Sequence, residues 1–182
     1  AFMAINPGGD SRLDVRVFYE DQKRNIWIGT NAGLFSYNMD SRRITGHYDK
    51  LHGNLIRCVS QDDKGRFWIG TFGDGLGVYT PDLKLIKRFV QRDGFPSNTI
   101  NQVIRDRGGQ IWVATGEGLI CFSSLNSFAY QAYQRKNGLH NIFIRALVED
   151  RNGNIWVSSN NGISCFVKQK GVFYNYNYLD DV

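Results

Sequence analysis

IRCVSQDDKGRFWIGTFGDGL, residues 56–76, recurs in altered form three more times along the chain: VRVFYEDQKRNIWIGTNAGL at 15–34, INQVIRDRGGQIWVATGEGL at 100–119 and IRALVEDRNGNIWVSSNNGI at 144–163. The four tryptophans, Trp27, Trp68, Trp112 and Trp156, follow one another at intervals of 41, 44 and 44 residues. Each has an aspartate six residues before it (Asp21, Asp62, Asp106, Asp150) and a glycine six or seven after it (Gly33, Gly75, Gly118, Gly162). An aliphatic residue comes next each time: Leu34, Leu76, Leu119 and Ile163. Four copies in phase define a repeat architecture, and the period limits which one.

Residues 15–20 are rich in β-branched and aromatic types, as strands are. Residues 21–25 then break the run. An aspartate can bond its side chain to the amides that follow it, and glycine supplies positive φ, so Asp62 with Gly65, Asp106 with Gly109 and Asp150 with Gly153 predict hairpin turns. In the first unit Arg24 stands where that glycine is expected. Residues 26–30 read as a second strand, 31–33 as a second turn, 34–37 as a third strand and 44–48 as a fourth. The counterparts of the fourth lie at 85–89, 128–133 and 172–176. No stretch sustains helical apolar spacing without a glycine break.

Four short antiparallel strands per unit of this length make one blade of a β-propeller. The expected fold is therefore all-β: four four-stranded antiparallel blades, with repeats near 15–55, 56–99, 100–143 and 144–178 of a single segment spanning 1–182. Residues 1–14 are expected to be the end of a preceding blade, with residues 1–6 as its outer strand or as an addition to another sheet.

A blade cannot bury its two faces alone, so the recurring tryptophan is expected to pack between blades. Gly29 and Gly70, replaced by Ala114 and Ser158 in the later units, mark a place where only a small side chain fits. Four-bladed rings can exist, but a set of four that stays open leaves an apolar blade face at each end, which invites self-association. The ends are expected to be covered by missing blades or by a second copy in a homodimer.

Composition agrees with a packed domain. Hydrophobic residues make up 42% of the 182 and charged residues 21%, which excludes a disordered chain. The net charge is +5, but Lys and Arg are scattered, so a solvated surface is expected and no stripe for nucleic acid. No apolar run approaches the roughly 18 residues of a membrane span. The opening Ala1-Phe2-Met3-Ala4 has no charged region followed by an apolar stretch, so no signal peptide is expected within this sequence. Cys58, Cys121 and Cys165 cannot all pair within one chain and none forms a C-x-x-C. Cys121 and Cys165 share one repeat position, nine residues after a tryptophan, where Ser36 and Val78 stand in the other units. They are expected to be free packing residues.

The full pattern is an acidic or polar residue and Asp, then Gly three residues on, then an aromatic or Ile before Trp. A small residue with Thr or Ser and a closing Gly-Leu or Gly-Ile follow. With the linker Gly94-Phe95-Pro96-Ser97-Asn98, it resembles the two-component regulator propeller repeat over residues 15–178. The linkers His52-Gly53-Asn54 and Gly138-Leu139-His140-Asn141 depart from that form. The resemblance implies a ring of the seven-bladed type in a periplasmic sensor region, oligosaccharides as ligands, and a hybrid histidine kinase outside this chain.

Searching for chemistry leaves little. His47, His52 and His140 lack zinc-site spacing. Asp62-Asp63-Lys64-Gly65 is a turn without the ligand alternation of a calcium loop. Residues 73–77 are glycine-rich, but no Lys-Ser/Thr pair and no helix follow, so one extra residue in the second turn is the better account. No nucleophile elbow or triad pattern is present. No catalytic residue, metal ligand or cofactor is expected.

One constellation is different. The residue after the first aliphatic of each inner strand is Arg16, Arg57, Asn101 or Arg145. Stacked around an axis, these place three guanidinium groups and an amide near one channel mouth, where they could bind a carboxylate or sulfate bidentately. The alternative is that they cap turns or bond neighbouring carbonyls. Asn54, Asn98 and Asn141 sit near the same rim and read as turn formers. The expected function is ligand sensing. The alternatives are a protein-interaction scaffold and a polysaccharide-acting enzyme, the latter needing an acid–base cluster that the repeats do not show.

Overall fold

Every predicted unit forms a four-stranded meander. The computed structural model describes residues 13–176 apart from 52 and 54, so the preceding-blade expectation, which falls almost wholly on residues 1–12, lies outside the described residues, as do His52 and Asn54. The first blade contains β1 (Val15–Glu20), β2 (Asn25–Thr30), β3 (Gly33–Asn38) and β4 (Arg43–Tyr48). The second contains β5 (Ile56–Gln61), β6 (Phe67–Thr71), β7 (Leu76–Tyr79) and β8 (Leu85–Phe89). The third contains β9 (Ile100–Arg105), β10 (Ile111–Thr115), β11 (Gly118–Ser124) and β12 (Ala129–Tyr133). The fourth contains β13 (Ile144–Glu149), β14 (Ile155–Ser159), β15 (Ile163–Val167) and β16 (Val172–Tyr176). Sequence order equals spatial order in every sheet. Among the described residues no helix is long and apolar enough to cross a membrane.

Local chemistry fixes both turns of each blade. In the first, Asp21 Oδ1 accepts the amides of Lys23 and Asn25, Asp62 and Asp150 each accept the equivalent pair, and Asp106 accepts the Gln110 amide. The fourth residue of that turn is left-handed: φ is 70° at Gly65, 83° at Gly109 and 82° at Gly153. Arg24 adopts the same conformation at 61°, so its departure from the repeat leaves the chain path unchanged. In the second turn the hydroxyls of Thr30, Thr71, Thr115 and Ser159 donate to a glycine carbonyl and accept a backbone amide. The extra residue of the second blade is absorbed there. The fourth strand of the third blade starts one residue later than the sequence suggests, because Phe128 is left-handed at φ 55° and belongs to the turn.

The core lies between blades. The inner strands β1, β5, β9 and β13 are successive neighbours. Trp27 meets Phe67 of the next blade edge-on at 4.6 Å, Trp68 meets Phe122 at 4.9 Å, and Trp112 meets Phe166 at 5.7 Å. Trp156, with no further blade beside it among the described residues, stacks on Tyr176 of its own sheet at 5.7 Å. A Cβ on Gly29 would lie 2.5 Å from Val17 Cγ1 and 2.7 Å from Ile56 Cγ2 of the next blade. That contact is the physical reason for the small residue. All three cysteines are free and buried, and burial pushes the Cys58 and Cys121 thiols up to about 12.

The arc of four blades is open. Phe18 on the first blade is 68% exposed, while Val148 and Ile163 on the last are 59% and 45% exposed. An apolar hollow of about 340 Å³ lies over Leu147, Val148, Trp156 and Ile163, on the face that earlier blades cover with their successor. Among the described residues the first and last blades make no contact that would close the arc into a ring.

Candidate ligand-binding rim

The candidate residues share a backbone feature. Val15 pairs with Thr30 but Val17 pairs with Gly29, so Arg16 is an extra residue in its strand. The same slip skips Arg57 between Ile56 and Cys58, Asn101 between Ile100 and Gln102, and Arg145 between Ile144 and Ala146. All four are the extra residue of a β-bulge, a device that re-aims a side chain away from the regular pleat. The turn after the second strand closes over the same rim: the amides of Asn31, Phe72 and Gly116 donate to the carbonyls of Asp14, Leu55 and Thr99. The Asp turns lie at the other end of the strands.

The bulges bring some of these residues together and separate others. Arg57 Nη1 donates to Asn101 Oδ1 at 2.5 Å, and Asn101 Nδ2 donates to the Ile144 carbonyl at 2.6 Å. This chain of bonds joins blades two, three and four. Arg16 pairs with Asp14 and shares with Arg57 a hollow of about 210 Å³, lined also by Leu55, Ile56 and Phe72. Arg145 stands apart: its Nε donates to Asn160 Oδ1 at 2.5 Å within its own blade. The rim is therefore an uneven set of contacts rather than a symmetric ring of free guanidinium groups. Among the linker residues, Asn98 Oδ1 accepts the Gln91 amide and Asn141 Oδ1 accepts the Phe143 amide, as turn formers do.

Two aromatic residues at the rim escaped the sequence reading. Phe72 is 48% exposed, with the Arg57 guanidinium 4.5 Å above its ring. Phe143 lies under Arg145 at 5.5 Å. Both break the repeat: Phe72 stands where the other blades have Asn31, Gly116 and Asn160, and Phe143 where they have Asp14, Leu55 and Thr99. Departure from the repeat was the available signal. Attention to what recurs passed over it.

At the opposite end, the four Asp side chains are structural. Each Oδ2 accepts the indole N–H of its blade's tryptophan at 2.8–3.0 Å. The Trp156 donor, with the Asn154 and Asn152 amides, holds the Asp150 carboxyl down at about 2. Lys168 Nζ adds a bond to Asp106 Oδ2 at 2.6 Å and to Glu149 at 3.3 Å, closing the third blade onto the fourth. Among the described residues no three His, Cys, Asp or Glu side chains gather as metal ligands would.

Fold and turn pattern together define a β-propeller built from tandem blade repeats. The sequence profile of the two-component regulator propeller family matches residues 9–32, 50–73, 94–117 and 137–161, and the chain belongs to that family. The extracellular domain of a protein assigned as a hybrid two-component system of B. thetaiotaomicron is 52% identical, with a TM-score of 0.95 over 100% of this chain. This chain spans 25% of that domain's length. The extracellular domain of a protein assigned as a one-component system of the same species is 20% identical at a TM-score of 0.79, covering 94% of this chain and 26% of its own. Virginiamycin B lyase from Staphylococcus aureus is 14% identical at a TM-score of 0.74, covering 95% of this chain and 58% of its own. The last two share the fold alone. No curated protein matches the chain.

Proposed function

We propose that this segment belongs to the ligand-sensing region of a two-component receptor, that it stands outside the cytoplasm in the periplasm, and that it recognises an oligosaccharide. One observation carries the reading. The same bulge in all four blades turns hydrogen-bonding side chains to one rim, where Phe72 and Phe143 add apolar ring faces. Guanidinium, amide and aromatic groups on a rigid scaffold are what a sugar site uses. The 52% identical extracellular domain supports both the location and the receptor context.

Recognition fits this rim better than catalysis. Two of its carboxylates are engaged, Asp14 by Arg16 and Asp74 by Arg88, and neither is held as a free general acid or base. Fold likeness to a lyase carries no activity with it. In the receptor, ligand binding shifts the equilibrium between two packing arrangements, in a dimer that also carries the missing blades, with the kinase on another part of the protein. Titration calorimetry of the purified chain against a panel of neutral and acidic oligosaccharides tests the reading. Saturable binding by one member is expected. Silence across the panel, with capture of a folded protein partner instead, would make the propeller an interaction scaffold.

A further inference from the structure

We infer that the corner formed by Arg57, Phe72 and Arg16 takes an acidic sugar unit, one bearing a carboxylate or a sulfate, in preference to a neutral one. The inference rests on the oligosaccharide reading above and narrows it to a class of ligand and a place.

Three features single out this corner. Arg57 is fixed at two points, by its Nη1 bond to Asn101 and by the Phe72 ring 4.5 Å beneath it. Asn101 is itself anchored on the Ile144 carbonyl, so the guanidinium is set before any ligand arrives. The Asn101 bond is the only hydrogen bond of Arg57 among the described residues, so the Nε–Nη2 edge has no hydrogen-bond partner among them. That edge matches the two oxygens of a carboxylate or sulfate.

The charge balance points the same way. Asp14 offsets Arg16, and Asp74 on the neighbouring turn is met by Arg88. Among the described residues Arg57 is then the guanidinium at the hollow without an ion-pair partner. Exposed Leu55 and the open part of Phe72 supply an apolar floor for the C–H face of a sugar ring. The hollow, at about 210 Å³, is smaller than the roughly 300–1,000 Å³ of a site for a drug-sized ligand and suits one sugar unit of a chain.

The other blades lack the combination. The third presents Asn101 with Gly116 in place of an aromatic turn residue. The fourth has Arg145 over Phe143, but its Nε is occupied by Asn160.

The test titrates the chain with three disaccharides that share one skeleton: one with a hexuronate, one with that carboxyl reduced to the alcohol, and one with a sulfate on the reduced form. The acidic forms are expected to bind roughly tenfold or more tightly than the neutral form, a gain that charge-assisted bonds provide. Added salt should erode the difference. Phe72→Asn and Arg57→Asn borrow residues that equivalent positions already carry in other blades, and Arg57→Lys keeps the charge but loses the fork. Each should lower acidic-form affinity roughly tenfold while leaving the thermal melt near that of the parent chain. Comparison of the carboxylate and sulfate arms identifies the anion. Equal affinity for acidic and neutral forms overturns the inference, as does acidic binding that ignores all three variants. A neutral oligosaccharide that binds the parent and the variants alike leaves the sensing role standing and removes this assignment alone.

Discussion

Trp68 Nε1 donates to Asp62 Oδ2 at 3.0 Å, so one carboxylate both organises the hairpin turn and holds the indole that packs against the next blade. Turn formation and blade-to-blade packing are thus a single coupled feature, repeated four times. Trp68 and Asp62 are buried, whereas Trp156 at the open end is only partly so. Trp68→Phe should therefore lower unfolding free energy by about 1–3 kcal/mol, the cost of removing a partner from a buried polar group. Trp156→Phe should cost less. Urea titrations of both variants measure the difference, and equal losses would defeat the argument from burial.

Much of this fold was legible because it rests on short-range rules. Aspartate, glycine and the hydroxyl of Thr or Ser act within a few residues, so their spacing exposed the turns and hence the strands. Arg24 shows the limit of that logic. It looks like a broken turn in sequence, yet its φ of 61° keeps the glycine path, because the flanking bonds of Asp21 hold the turn closed. The rim was half legible. The positions of Arg16, Arg57, Asn101 and Arg145 could be read from register with the strands, but their partners could not. Arg57 finds Asn101 across a blade boundary, 44 residues away, and no local rule reports that contact. Phe72 was hidden for another reason: a repeat reading averages over the one blade that differs.

The Asp turns make acid stability predictable. Asp150 is held at about 2, chiefly by the Trp156 donor. Burial works to raise the Asp21 and Asp106 carboxyls. In Asp21, bonds from Asn25 and Trp27 outweigh it, and in Asp106, Lys168 and Trp112 do, so both end below the ordinary 3.8. Carboxyls depressed in the folded state contribute fully above their unfolded value and lose that contribution as pH falls through the folded one. The melting temperature should hold steady down to pH of about 4 and fall between about 4 and 2. Asp150→Asn should destabilise the chain at neutral pH yet shrink the acid-side drop. A melt series across that range checks both, and an unchanged acid limb in the variant would show that Asp150 does not contribute to it.

Gly29 sets the distance between the first two blades. A methyl group there would press on Val17 within its own sheet and on Ile56 across the boundary. Gly29→Ala should cost about 1–3 kcal/mol, as overpacking of a filled core does. The blades are not identical in this respect, since Ala114 is accommodated without exposure at the equivalent place in the third. If the clash is the cause, Val17→Ala should cost less in the Gly29→Ala background than in the parent chain. A four-member cycle of denaturation midpoints measures this, and strict additivity would point to a backbone effect instead.

The open blade faces bear on every solution experiment. Val148, Ile163 and the side of Trp156 occupy the surface that earlier blades cover with their successor, and Phe18 lies on the facing surface at the other end. An apolar face of this kind drives association unless further blades fill it. Light scattering of the chain should therefore show a molar mass that rises with concentration toward a dimer. Val148→Glu adds a charge to a position that is already exposed, so it should change stability by no more than about 0.5 kcal/mol. It should, however, hold the chain as a monomer over the same range. A mass independent of concentration in the parent would mean that the arc tolerates open ends, and ligand titrations could then be read on the monomer. A dimer that Val148→Glu leaves intact would place the contact elsewhere, with the exposed outer-strand residues Leu85, Ile86, Tyr174 and Tyr176 the next positions to change.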